Sequence, residues 1–353
     1  MKFKTSSLLA LSLVLLPAAG ITQTSGAPTP HRSYDLTLPG IEIRPGVTLD
    51  LHAAVFVDQS HACEGNVALA IHGMMHTAAT WERMVAALFD DNPAGRKICR
   101  VVALDMPGRG GSTVPANLWF GVVTPEDYAT AILGALDQLR ALHIQPDTVF
   151  AHSAGGLLVQ IAQQRLLERG TDLRNAYGVK DVVLLASATP KQIPVYVIDS
   201  GLFAQTVMSF AQVDQIVGTL AIPDSVWTWL FFAPNPTTNP SLVVPGAPTP
   251  AEVAARHYNA AEPFGFLTGL LADRAAIEAG IFAPAHQTVL SVVAYERDIT
   301  FRPDEERALY RYLTGDETDE RFVFVPGDEA VHDTHVSNPA LLLRYLASSV
   351  RIP

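Results

Sequence analysis

At 353 residues, 48% of them hydrophobic, the chain carries enough apolar surface for one large α/β domain or two smaller ones, which excludes general disorder. Its 35 acidic residues against 24 Lys and Arg give a formal charge of -11, which repels a phosphate backbone and removes the electrostatic basis for a nucleic-acid partner. In chain order, Lys2 and Lys4, the apolar run Leu8 to Leu16 and the small residues of Pro17-Ala18-Ala19-Gly20 predict a secretory signal peptide over 1–20. That apolar run is about half the ~20 residues a spanning helix needs, no later segment reads as transmembrane, and no Cys follows to carry a lipid anchor. The expected destination is the periplasm or the medium.

Residues 21–33 form a polar linker, and Tyr34 to Val57 partly alternate apolar and polar positions around Pro45-Gly46, the pattern of an antiparallel hairpin. Short apolar runs then alternate with helical patterns: Asn66 to Ile71, Arg100 to Leu104, Thr148 to Ala151 and Val182 to Leu185 read as fully buried parallel strands. Cys63 and Cys99 each shortly precede one of the first two runs, so parallel neighbouring strands would bring both thiols to one end of a sheet; a disulfide and two buried reduced thiols are the alternatives. A helix is expected from Thr124, with Pro125 in its first turn, Asp127 closing a capping box, and Tyr128, Ile132, Leu136 and Leu139 on one face. A second helix follows Ser153 and closes near Gly170.

The rhythm breaks between Thr189 and Gln287, where Trp227, Trp229, Phe231 and Phe232 cluster and six prolines fall between Pro234 and Pro250. An inserted helical lid is expected over 189–287, with a capped helix opening at Thr249-Pro250-Ala251-Glu252. The rhythm returns with a strand at Val289 to Tyr295, a helix from Pro303 to Leu313, a strand at Phe322 to Val325 and a last helix opening at Asn338-Pro339. The core is therefore expected in two parts, 34–188 and 288–353.

The run Val149-Phe150-Ala151-His152-Ser153-Ala154-Gly155-Gly156 is a strand, a sharp turn and a helix start, with small residues two before and two after Ser153. It resembles the G-x-S-x-G nucleophile elbow of the α/β-hydrolase family, with Ala151 in place of the usual first Gly. Ile71-His72-Gly73-Met74-Met75 and Asp105-Met106-Pro107-Gly108-Arg109-Gly110-Gly111-Ser112 are similar to that family's oxyanion turn and its D-x-P-G-x-G-x-S loop. The resemblance implies an α/β-hydrolase fold: a mostly parallel central sheet covered by helices on both faces, with an inserted lid. It also implies that the backbone N–H groups of Met74 and Ala154 form an oxyanion hole.

By the same resemblance, the acid of a Ser-His-acid triad belongs after the strand ending at Tyr295, where Asp298 matches and Glu296 is the nearby competitor. The base belongs in Val331-His332-Asp333-Thr334-His335, with His332 better placed than His335. A Ser hydroxyl needs an imidazole to take its proton and a carboxylate to hold the imidazole's tautomer, which is what this trio supplies. The expected activity is that of an esterase, lipase or lactonase acting on a small ester-like molecule with an apolar part. Haloperoxidation without a cofactor, carbon–carbon bond hydrolysis and acyl transfer use the same triad, and a non-catalytic ligand receptor would keep the fold with a damaged site. No cofactor or metal is expected: His72 and His76 are spaced by four but span the Gly73 turn and lack the Glu of the H-E-x-x-H motif.

Overall fold

The computed structural model of the chain describes residues 32–58, 66–73, 76–90, 98–113, 123–188, 277–298 and 300–349. The expected signal peptide, the linker to residue 31, Met74, Cys63 and most of the expected lid, 189–276, lie outside them. An eight-stranded sheet runs in the order β1 (Arg32–Arg44), β2 (Val47–Val57), β4 (Ile98–Leu104), β3 (Asn66–Ile71), β5 (Thr148–His152), β6 (Asp181–Leu185), β7 (Val289–Tyr295), β8 (Phe322–Val325). The β1–β2 hairpin turns at Pro45-Gly46, and β2 also meets β4 antiparallel; every pairing from β4 across to β8 is parallel.

The parallel strands β3, β5, β6 and β7 are buried along nearly their whole length, which is why they read as continuous apolar runs instead of alternating ones. The helices are α1 (Glu82–Asp90), α2 (Pro125–Ala141), α3 (Ala154–Glu168), α4 (Leu173–Tyr177), α5 (Pro303–Thr314), α6 (Thr334–Ser337) and α7 (Pro339–Ser349). The α2 capping box forms as its sequence requires: Asp127 N–H donates to Thr124 Oγ1, and Thr124 N–H donates to Asp127 Oδ2 at 2.7 Å. Tyr128, Ile132, Leu136 and Leu139 are buried on one face, each worth about 1.5–3 kcal/mol of hydrophobic stabilisation.

The connection from β3 to β4 runs in one direction across the sheet and those from β4 to β5 and β5 to β6 run in the other. Right-handed crossovers therefore place α1 on one face and α2 and α3 on the opposite face. In agreement, α1 packs with α6 and α7, whereas α2 packs with α3 and α4. Strand order reverses between β3 and β5, and the carboxyl ends of strands beside such a switch point form a natural crevice.

Cys99 is disulfide-bonded, and the only other cysteine in the sequence is Cys63. The described end of the expected lid, 277–287, is tied to the core. Gln163 donates to the Ile281 carbonyl at 2.8 Å, Phe282 N–H donates to Leu313 O at 2.8 Å, and Ile277, Ile281 and Phe282 are buried. Among the described residues, no helix is long and apolar enough to cross a membrane.

Candidate active site

Ser153 sits at the carboxyl end of β5, immediately before α3, with φ 51° and ψ −121°. This backbone conformation is rare for a residue with a side chain, and three hydrogen bonds hold it. Ser153 N–H donates to Leu185 O at 2.9 Å, while its carbonyl accepts from Gly156 N–H at 3.0 Å and Ala188 N–H at 3.1 Å. The result is a partly exposed Ser153 between buried His152 and Ala154.

Close packing against the β3 turn explains two glycines. A Cβ on Gly155 would lie 2.5 Å from the His72 carbonyl oxygen, and one on Gly73 would lie 3.0 Å from Ser153 Cβ. The turn itself is fixed by His72: its Nδ1–H donates to Gly73 O at 2.7 Å, and its Nε2 accepts from Met106 N–H at 3.0 Å. That tautomer is neutral, and burial pushes the imidazole down to about 4. Asp105 braces the same region by accepting from Ala78 N–H at 2.6 Å, Gly111 N–H at 2.9 Å and His52 Nδ1–H at 2.7 Å.

In the loops after β7 and β8, His332 Nδ1 lies 2.8 Å from Asp298 Oδ2, with both residues buried. The carboxylate can only accept, so Nδ1 carries the proton and Nε2 keeps its lone pair. Burial opposes a charge on His332, but the Asp298 charge and hydrogen bond outweigh it and raise the imidazole above its ordinary pKa. Asp298 is itself oriented through Oδ1, which accepts from Thr300 N–H at 2.7 Å and Phe301 N–H at 3.0 Å. The competitor Glu296 is exposed and accepts from Gly327 N–H at 2.8 Å.

His152 joins the elbow to the histidine loop: its Nε2–H donates to the His332 carbonyl at 3.1 Å, and the two rings are 4.7 Å apart at their centroids. Ala154 is the first residue of α3, whose N-terminal N–H groups have no partners within the helix. Met74, the other expected oxyanion donor, lies outside the described residues.

His335 is fully buried, 4.2 Å from the His152 ring and 4.9 Å from Trp81, while the Asp298 contact belongs to His332. The sequence pairs His76 with His72, but the structure groups it with His152, Asp333 and His335. Nothing local in the sequence signals that grouping, because His76 reaches Asp333 only through the parallel order of β3, β5 and the strands beyond.

The alpha/beta hydrolase family profile matches residues 68–344. The chain belongs to the α/β-hydrolase family. No curated protein sequence matches it. This hydrolase is similar in structure to a thermophilic esterase from Thermogutta terrifontis (17% identity, 90% of this chain and 98% of that chain covered, TM-score 0.61). It is also similar to a bromoperoxidase from Bacillus anthracis (17% identity, 89% and 99% covered, TM-score 0.57). A third relative is an enol-lactonase from Burkholderia xenovorans LB400 (19% identity, 84% and 96% covered, TM-score 0.55). At such identities these likenesses speak for the fold.

Proposed function

We propose that the chain is an exported serine hydrolase that cleaves a carboxylic ester or lactone through an acyl-enzyme on Ser153. The observation that carries the reading is the His332–Asp298 pair, whose tautomer leaves Nε2 with a lone pair, in a loop tied through His152 to the strained elbow that exposes Ser153.

His332 Nε2 takes the Ser153 proton as Oγ attacks the carbonyl carbon, and Asp298 stabilises the imidazolium that forms. The oxyanion of the tetrahedral intermediate is held by the N–H of Ala154, at the positive end of α3, and by that of Met74. His332 then returns the proton to the leaving alkoxide, and the ester bond breaks to leave the acyl group on Ser153. Water, activated by the same Nε2, releases the acid; with a lactone, the alcohol and acid are one molecule.

The esterase and lactonase among the structural relatives support this substrate class. An apolar portion of the substrate is read from composition, the Trp227, Trp229, Phe231 and Phe232 cluster. Export is supported by the signal-like residues 1–20 and by the disulfide at Cys99, a bond favoured in oxidising compartments.

The test is turnover of p-nitrophenyl esters of graded acyl length and of a lactone panel by wild type and Ser153→Ala. Hydrolysis by wild type that Ser153→Ala lacks is expected; equal turnover by both would end the assignment. Because a bromoperoxidase is among the relatives, the same pair is assayed for bromination with bromide, peroxide and a carboxylic acid. Bromination without ester or lactone hydrolysis would move the function to that chemistry.

A further inference from the structure

Four side chains that the proposed reaction does not use converge beside Ser153 and His332. His76 comes from the turn after β3, His152 is the last residue of β5, and Asp333 and His335 come from the loop and short helix that follow β8. One donor atom from each lies within 4.8 Å of those of the other three. None of the four residues is more than 1% exposed.

Three of these groups, His152, Asp333 and His335, carry buried polar atoms without good hydrogen bonds among the described residues. Among the described residues, neither Asp333 carboxyl oxygen receives a hydrogen bond of good geometry; its nearest nitrogens are His152 Nε2 at 3.3 Å and His76 Nε2 at 3.6 Å. Neither ring nitrogen of His335 makes a hydrogen bond, nor does Nδ1 of His152. Buried polar atoms ordinarily find partners, and a buried carboxylate beside imidazoles calls for a counter-charge.

Three imidazoles and one carboxylate are the donor set of a borderline divalent cation; calcium and magnesium select oxygen ligands instead. A tetrahedral zinc with bonds of about 2.0–2.1 Å sets its donors about 3.4 Å apart, so small side-chain rotations would close the group onto an ion. We propose that His76, His152, Asp333 and His335 form a buried structural site for one zinc-class divalent cation.

All four positions of such a site are filled by protein, so it has no place for substrate or a reactive water. Its role is positioning: one ion would join the turn beside the oxyanion hole, the residue before Ser153 and the residue after His332. Binding through His152 Nε2, the nitrogen that faces Asp333, exchanges the hydrogen bond to the His332 carbonyl for a metal bond and moves the ring proton to Nδ1. Burial disfavours the charged form of all three imidazoles, and the neutral form is the one that ligates.

Because the site is enclosed, metal is supplied during folding. The full chain expressed in zinc-supplemented medium and purified without chelator is expected to hold one zinc by elemental mass spectrometry, in wild type and in Ser153→Ala alike. His335→Gln is expected to lose it. Wild type unfolded in chelator and refolded with cobalt(II) should show the intense visible bands of a four-coordinate site. Refolding with zinc should raise its Tm by several degrees over refolding without metal. Zinc-free wild type with no zinc-dependent Tm, a six-coordinate cobalt spectrum, or wild-type stoichiometry retained by His335→Gln would each overturn the proposal. The cobalt and Tm measurements use wild type alone, so they decide the matter even where the variant does not fold.

Discussion

Two aspartates act on His332, and the fold treats them in opposite ways. Asp298, in the turn after β7, accepts from two backbone N–H groups and from the imidazole itself, with distances of 2.7, 3.0 and 2.8 Å. Asp333, next to His332 in sequence, is just as buried but faces imidazole nitrogens at 3.3 and 3.6 Å with no well-formed hydrogen bond. Burial is common to both, so the contrast comes from backbone donors. The carboxylate given N–H groups can orient a catalytic imidazole, while the one denied them needs either a proton or a cation.

The strongest way to break this comparison is to remove the histidine common to both. His332→Ala is expected to lower kcat for the best ester found by a factor on the order of 10⁵–10⁶, as loss of one member of a cooperating triad does. Asp298→Asn keeps the shape but no longer fixes the tautomer, and kcat is expected to fall on the order of 10³–10⁴-fold with KM little changed, read from steady-state kinetics.

Glu306 sharpens the comparison from behind. It is fully buried on α5, and burial, together with the Asp298 charge, pushes its carboxyl well above the ordinary range, with only a Ser187 backbone hydrogen bond opposing. The raised pKa favours its neutral acid form. A carboxyl with a raised folded pKa contributes stability below its unfolded pKa of about 4.3 and loses it as pH rises toward the folded value. Glu306→Gln should remove that loss, so urea denaturation across pH 4–8 is expected to show the variant gaining on wild type as pH rises. The smallest effect belongs to Glu296→Gln, an exposed site outside the His332 contact, where kcat is expected within about two-fold of wild type.

Much of this architecture is local enough to be read from the chain. The runs at 66–71 and 289–295 coincide with β3 and β7, because strands buried on both faces must be apolar throughout, and the run at 322–325 coincides with β8, the edge strand, where Phe324 is exposed. The Thr124–Asp127 cap marks the start of α2 for an equally local reason. By contrast, α1 escaped the reading. It is a nine-residue helix entered directly from a 3₁₀ turn at Ala78–Trp81, with no capping residue of its own to announce it. Helices α4 and α6 are too short to show a period.

The site divides along the same line. Ser153 follows β5, and Asp298 and His332 lie in the loops after β7 and β8, each within a stretch whose likeness to the family's motifs proposes it. The grouping of His76 with Asp333 depends on strand order and long-range packing. Asp333 and His335 were visible in the sequence only as neighbours of His332, and the unsatisfied polar interior that distinguishes them exists only once the chain has folded.

The central claim, that Ser153 is a nucleophile activated by His332, is tested most directly with a fluorophosphonate, which phosphonylates an activated serine with loss of fluoride. Intact-mass and peptide mass spectrometry of the full chain should show one adduct, on the peptide carrying Ser153, with parallel loss of esterase activity. Labelling should disappear in Ser153→Ala and slow greatly in His332→Ala. An adduct on another residue that abolishes activity, or equally fast labelling of Ser153 without His332, would contradict the account.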